Sequence, residues 1–571
     1  MINKVLKLFL LAGLCALAGC QQPDDLVPPV ARLGINSIIA SFADGTGEFS
    51  ADTPEIGNEI VIPIPYYYPE NSDNPVTEEQ LKKMRVRAVL DDNVTIDPPL
   101  LFMDLTQNNK ITVTNQRKEK IEYIVRGDIR KSNACLIEDF TIPSLGVSAV
   151  INETAKTISL PGFDSEEPLL ANVRLSWHAS ISPDPRVTAF TYDEEVKLTV
   201  TAHDGLSQSV YTVKKEIPQK LPYGMRPNSA KMMFEKKLKA DLGITATDVT
   251  GGIAATNEYV IINTRNANSV IIHAKTGEKI GEFDLGPVKG DTRNFYTTAD
   301  AGGNVLICNL AQDDGTFKVW RLTSMTGATE LYIDWPENET DNIGRKISVY
   351  GNISENAIIT APLLTAPGGA FLQRFARWTV VDGVLTSQAP EVITVSGLTT
   401  GWNGNCDIVY TSATNTNSDY FVGAYSENAL VWINGVTNQV HKRVPTTTTS
   451  DAGNFVTNAV DFVEFNNAKY LTTNWINGFT WGSADLVWLL EVTTDANFSG
   501  SLVENCPAVI WTCDRHKYGP RGSGFSNPEP ENRNMTGDVA LRVSPDGFYL
   551  YLYFMFTNGY VVGYQFDCID M

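Results

Sequence analysis

Asp419-Tyr420-Phe421-Val422-Gly423 and Leu430-Val431-Trp432-Ile433 are two short β-rich runs separated by a polar turn, the signature of paired strands. The same unit recurs on both sides. Glu258-Tyr259-Val260-Ile261-Ile262 precedes Val270-Ile271-Ile272-His273, and Asn304-Val305-Leu306-Ile307-Cys308 precedes Lys318-Val319-Trp320-Arg321. Lys469-Tyr470-Leu471-Thr472-Thr473 precedes Leu486-Val487-Trp488-Leu489, while Arg377-Trp378-Thr379-Val380 and Tyr560-Val561-Val562-Gly563-Tyr564 complete a set of six second strands. Copies spaced by roughly 50 to 70 residues that each need a neighbour to bury their faces predict a six-bladed β-propeller over residues 221–571. Met232-Met233-Phe234-Glu235-Lys236-Lys237-Leu238 is expected to add a strand to the last blade and close the ring. Trp320, Trp378, Trp432 and Trp488 read as packing between blades rather than as ligand contacts.

A second repetition lies upstream. Lys110-Ile111-Thr112-Val113-Thr114 leads through a polar turn to Tyr123-Ile124-Val125, and Lys197-Leu198-Thr199-Val200-Thr201 leads in the same way to Tyr211-Thr212-Val213. Two copies in units of this size, rich in short alternating strands, predict tandem Ig-like β-sandwich modules over residues 31–131 and 132–220, with Trp177 in the second core. One helix interrupts them, opened by Thr77 with Gln80 at the capping-box position. The predicted fold class is therefore all-β.

Composition narrows the function. With 45 basic and 66 acidic residues among 571, the net charge is −21. Such a chain repels phosphate backbones, which argues against nucleic acid as a partner and against lying flat on anionic lipid. Charged residues make up 19% and hydrophobic residues 43%, a globular composition. The chain has no CxxC pair and no spaced histidine pair, so the spacing of zinc ligands is missing. Cys506 and Cys513 are the best local pair for a disulfide, with buried free thiols as the alternative. Asn415-Thr416-Asn417-Ser418-Asp419 carries alternating oxygen ligands that could hold Ca²⁺, although it lacks the glycine and distal glutamate of a full calcium loop, and a plain turn is favoured. No other cofactor or metal is expected.

The N-terminus begins with Lys4 and Lys7, continues through the apolar run Leu8-Phe9-Leu10-Leu11-Ala12-Gly13-Leu14, and reaches Leu17-Ala18-Gly19-Cys20. The run is too short to span a bilayer and reads as a secretory signal over residues 1–19. Leu17 to Cys20 resembles the bacterial lipobox. That resemblance implies cleavage before Cys20, lipidation of its thiol, and a tether over residues 20–30 whose Asp24 and Asp25 are similar to the acidic export signal of Bacteroidota surface lipoproteins. The membrane is then a partner only through the lipid anchor.

No phosphate loop, nucleophile elbow or His-Glu-x-x-His motif occurs. Acidic side chains from different blades could still meet in a propeller funnel at glycosidase spacing. Aromatic loops are more suggestive: Trp402 and Asn403 lie among turn formers, as do Trp475, Asn477 and Trp481, and flat rings with nearby amides suit sugars, with rings folded back onto their own blade as the slightly favoured alternative. Arg515, Tyr518 and Arg521 lie in the longest irregular segment, a basic cluster in an acidic chain. Tyr66-Tyr67-Tyr68 is a third aromatic patch.

The overall layout resembles surface lipoproteins of gut Bacteroidota, many of them associated with starch-utilisation-type outer-membrane transporters. The resemblance implies a glycan-binding, non-enzymatic protein that is anchored in the outer membrane, faces the cell exterior and assists nutrient uptake. Two alternatives stand beside it: an accessory subunit of a transporter complex that handles peptide or other cargo, and a propeller glycoside hydrolase or polysaccharide lyase.

Overall fold

A computed structural model describes residues 34–571 except 55, 92, 146, 161–166, 246–249, 312–314, 323–327, 337–342, 366–370, 403–405, 425–426, 447–454, 478–484, 515–516, 519–531, 533–535 and 571. The chain is all-β and divides into two compact units, residues 1–218 and 219–571. Among the described residues no helix is long and apolar enough to cross a membrane.

The N-terminal unit holds two cores. Strands Ile35–Ser41 and Met84–Leu90 form one sheet, strands Glu59–Pro65, Asn109–Thr114 and Lys120–Arg130 form another, and the two sheets enclose Ile38, Ile62, Met84, Val113 and Tyr123. The second core gathers Phe140, Ile158, Leu198 and Tyr211 from two further sheets, with Tyr192 from the segment between strands. The repeat seen in the sequence is also a repeat in register. Ile111 pairs with Tyr123, and Leu198 pairs with Tyr211. Each tyrosine-bearing strand then takes a parallel neighbour on its other edge. Alternation turns both tyrosines inward. The helix is one turn, Glu78–Leu81, closed by Thr77 and Gln80, each of whose side chains accepts the other's backbone N–H.

Trp177 corrects the sequence reading. It is 55% exposed on the turn after Ser176, where Ala179 N–H reaches the Ser176 carbonyl, and its neighbour His178 takes a positive φ. The turn carries Trp177 off the strand and out of the core. Tyr66 to Tyr68 divide between core packing and a contact within the unit. Tyr68 packs on Phe42 and Phe49 of the first core, whereas the Tyr67 ring stacks on His178 at 4.1 Å and on His203 at 5.3 Å, so it bridges the two halves of this unit.

The C-terminal unit is a succession of six antiparallel sheets. Their first strands are Thr250–Ala255, Tyr296–Ala299, Ser348–Gly351, Cys406–Tyr410, Val460–Phe465 and Gly537–Val543. Each first strand neighbours the next, and the sixth neighbours the first, which gives a cyclic order. The sixth sheet takes its outer strand, Lys231–Lys237, from the beginning of the unit and pairs it with Tyr560–Asp567 near the chain's end. The apolar second strands are buried along their whole length because sheets cover both faces: Tyr420–Ala424 and Tyr549–Phe556 have no exposed position. Trp378 and Trp488 are buried, and Trp378 stacks on Phe317 of the preceding sheet, which is packing between sheets.

Candidate functional site

The six first strands surround a pocket lined by Tyr296, Ser348, Asp407, Asp461, Asp538 and Arg542 among others. Three of these aspartates occupy the second position of a first strand and are followed by apolar residues: Asp407-Ile408-Val409, Asp461-Phe462-Val463 and Asp538-Val539-Ala540. The alternation of a strand carries the following residue into the sheet-to-sheet core and leaves the aspartate facing the centre.

Each carboxylate takes an N–H from the next strand round the ring. Asp407 accepts from Val460 at 3.1 Å, Asp461 from Leu541 at 2.7 Å, and Asp538 from Ile253 at 2.8 Å. Asp407 also accepts from the Ser348 hydroxyl and from Ile408 N–H, and Asp461 accepts from Phe462 N–H. The carboxylates therefore join neighbouring first strands at points where the sheets themselves share no ladder. Burial pushes both the Asp407 and the Asp461 carboxyls up to about 6, against the opposing pull of Lys346 on Asp407 and of Arg542 on Asp461.

Two cations stand at this centre: Arg542 lines the pocket and Lys346 lies buried beside it. Lys346 is buried and donates to the Tyr296 hydroxyl at 2.8 Å, to the Gly537 carbonyl at 3.1 Å and to Asp538 at 3.1 Å. Arg542 donates to the carbonyls of Ala255, Ala299 and Leu541 and lies 4.0 Å from Asp461. Among the described residues no group of three or more His, Cys, Asp or Glu is placed to hold a metal.

The start of each first strand lies beside the end of the second strand, as the Thr250–Thr264 pair illustrates. At this end of the ring, Phe295 precedes the strand Tyr296–Ala299, Arg345 and Lys346 precede Ser348–Gly351, and Arg265 follows Tyr259–Thr264. The Arg265 guanidinium sits 4.7 Å from the centre of the Phe295 ring, and that of Arg345 sits 5.9 Å from it.

Among the described residues, Trp402, Trp475 and Tyr518 do not form a platform. Trp402 is fully buried and its Nε1–H reaches the carbonyls of Leu363 at 2.8 Å and Arg374 at 3.0 Å. An isolated bridge to Leu372 folds its loop back onto the third sheet. Trp475 is also fully buried, on the strand Ala468–Asn477, with its ring 5.9 Å from that of Trp488. Tyr518 is buried too: its hydroxyl lies 3.3 Å from that of Tyr564 and its ring meets Phe554 edge-on. In each case the apolar ring area is worth more inside than in a wet loop. The Asn477 backbone pairs with Phe455. Asn403, Trp481, Arg515, Arg521 and Cys20 lie outside the described residues.

Of the two readings of Cys506 and Cys513, the structure has the second: no bridge is formed, and both residues are buried free thiols. The extended strand Val509–Thr512 separates them, and at roughly 3.3 Å per residue it carries Cys513 beyond the reach of a disulfide. Cys513 Sγ instead accepts Val487 N–H at 3.2 Å. Asp419, in the turn considered for Ca²⁺, accepts from Trp432 Nε1–H at 2.8 Å and from Gly435 N–H at 3.1 Å. Its oxygens serve the turn.

Sequence reasoning passed over Asp407, Asp461, Asp538, Lys346, Arg265 and Arg345. A usable signal was present in the three aspartates, each of which heads an apolar run at the start of a sheet.

Three family models match the chain. One, described as Domain of unknown function (DUF8500), covers residues 232–567. Domain of unknown function (DUF5018) covers residues 15–127, and Domain of unknown function (DUF8499) covers residues 137–215. The first spans more than half of the chain, which therefore belongs to the DUF8500 family. No curated protein matches the sequence.

Proposed function

We propose that this DUF8500-family chain is an outer-membrane lipoprotein, anchored through Cys20 and facing the cell exterior, that captures a glycan without transforming it. In this reading residues 221–571 form a six-bladed β-propeller, residues 31–131 and 132–220 form two Ig-like β-sandwich modules, and captured glycan passes to an outer-membrane transporter. The cyclic order of the six first strands and the return of Lys231–Lys237 to the last sheet support the propeller. The lipobox-like Leu17 to Cys20 supports the anchor.

One observation carries the choice of capture over turnover. Asp407, Asp461 and Asp538 each hold a main-chain N–H of the neighbouring strand. A carboxylate fixed in this way is a rigid acceptor, whereas acid–base catalysis on a glycosidic bond needs one group free to give its proton to the leaving oxygen. Rigid acceptors and a polar lining suit a hydroxyl-rich ligand.

A second reading, a propeller hydrolase, draws on Asp407 and Asp461. Carboxyls pushed up to about 6 in one pocket are the kind of groups that serve as general acids. An array of glycans and peptides probed with the purified mature protein, followed by analysis of the products, separates the readings. Glycan signals with intact ligand support capture, shortened ligand supports the hydrolase, and signals on peptides alone sink both.

A further inference from the structure

We propose that Arg265 and Arg345 form a binding site for the oxyanion group, carboxylate or sulfate, of an acidic glycan at the mouth of the central pocket. The inference rests on the glycan-capture reading and names the class of glycan.

The two guanidinium groups share one aromatic ring, that of Phe295. Like charges gather around a common ring at a cost. Among the described residues, however, no carboxylate lies within ion-pair distance of Arg345. Burial and the nearby Arg265 charge hold the Arg345 guanidinium below its usual range, the mark of a cation short of compensation. The planar donor fork of arginine matches a carboxylate or sulfate through paired hydrogen bonds.

The backbone around both arginines is held in place. The Asn294 side chain donates to the Thr264 and Ala267 carbonyls and accepts from Asn266 N–H at 3.2 Å, which ties the turn bearing Arg265 to the segment bearing Phe295. Ile343 bridges to both Ala311 and Leu363, and Lys346 is pinned to Tyr296 and Asp538. Gly344, with φ at +104°, lies so close to the Asn309 carbonyl that a Cβ would stand 1.8 Å from that oxygen. Arg345 thus projects from a short segment fixed on both sides. Such preorganisation is what an anion subsite requires. The residues next to Phe295 and Arg345, Tyr296 and Lys346, lead inward: Tyr296 lines the pocket itself and Lys346 lies buried against it. A ligand whose acid group docks on the arginines would meet the polar acceptors there.

Calorimetric titration of the mature protein with oligogalacturonate, a chondroitin sulfate oligosaccharide and a neutral malto-oligosaccharide tests the inference, alongside Arg265→Ala, Arg345→Ala and Arg345→Lys. The expected result is roughly tenfold or tighter binding of an acidic ligand over the neutral one, lost in either alanine variant and partly kept in Arg345→Lys. Thermal midpoints confirm that each variant is folded, and if Arg345→Ala is not, Arg345→Lys and Arg265→Ala carry the test. Neutral ligand bound as tightly as acidic ligand, or acidic binding untouched by the variants, overturns the inference and leaves glycan capture standing. Silence from every glycan overturns both.

Discussion

Lys346 Nζ and an Asp538 carboxylate oxygen sit 3.1 Å apart, both side chains almost wholly buried, and the pair links opposite members of the cyclic order of sheets. Removing one partner strands the other charge in a poorly solvated centre. Asp538→Asn or Lys346→Met is therefore expected to cost about 3–5 kcal/mol, and the double variant to recover a large part of that. Urea unfolding followed by tryptophan fluorescence reads this well, because nine of the ten tryptophans lie in the C-terminal unit. Single variants with no effect, or a double variant that costs the full sum, would contradict the account.

Asp407 and Asp461 give this unit a pH signature. Their carboxyls are pushed up to about 6 in the folded chain, against about 3.9 when unfolded. Between these values the folded state holds more protons than the unfolded state, so their contribution to stability falls as pH rises from about 4 to about 6 and is level above that. Asp407→Asn and Asp461→Asn keep an acceptor oxygen for Val460 and Leu541 N–H but cannot ionise. The difference in urea midpoint between each variant and the parent is expected to grow in the variant's favour across that window. A difference independent of pH would show that neither group titrates there.

How much of this was legible in the sequence depends on what each residue answers to. Strand pairs such as Tyr420–Ala424 with Ala429–Asn434 are written in local apolar runs and turns, and they stand where the runs place them. Trp402 stays open between ligand contact and a ring folded back onto its sheet because turn formers surround it, while its fate is decided by the Leu363 and Arg374 carbonyls, distant in sequence. Asp407 looked like one acid among many. Only the closing of first strands onto one another gives it Val460 as a partner. Arg265 and Arg345 converge on Phe295 through three separate turns, and no local pattern records that.

Trp402 is expected to behave as a core residue. Trp402→Ala should lower stability by about 3–5 kcal/mol through the cavity left behind. Trp402→Phe should cost less, since it keeps much of the volume while leaving two carbonyls without their donor. Unfolding midpoints measure both. A Trp402→Ala variant of unchanged stability and weakened sugar binding would return the residue to the surface.

Gly563 tests the return strand. It faces Phe234 on one neighbouring strand and Tyr553 on the other, and those two rings stack 6.3 Å apart across it. A Cβ at this position would stand 2.6 Å from the Phe234 ring. Gly563→Val should cost about 1–3 kcal/mol by overpacking, and adding Phe234→Leu should return part of it. Limited proteolysis near Lys231–Lys237 should accelerate in the single variant. Equal proteolysis in parent and variant would remove this glycine from the account.

Capture without turnover is tested directly by one titration. Calorimetry of the mature protein with the best array ligand, followed by mass spectrometry of that ligand after prolonged incubation, should give a saturable binding heat and an unchanged ligand mass. A sustained heat of reaction with shortened oligosaccharide would contradict it.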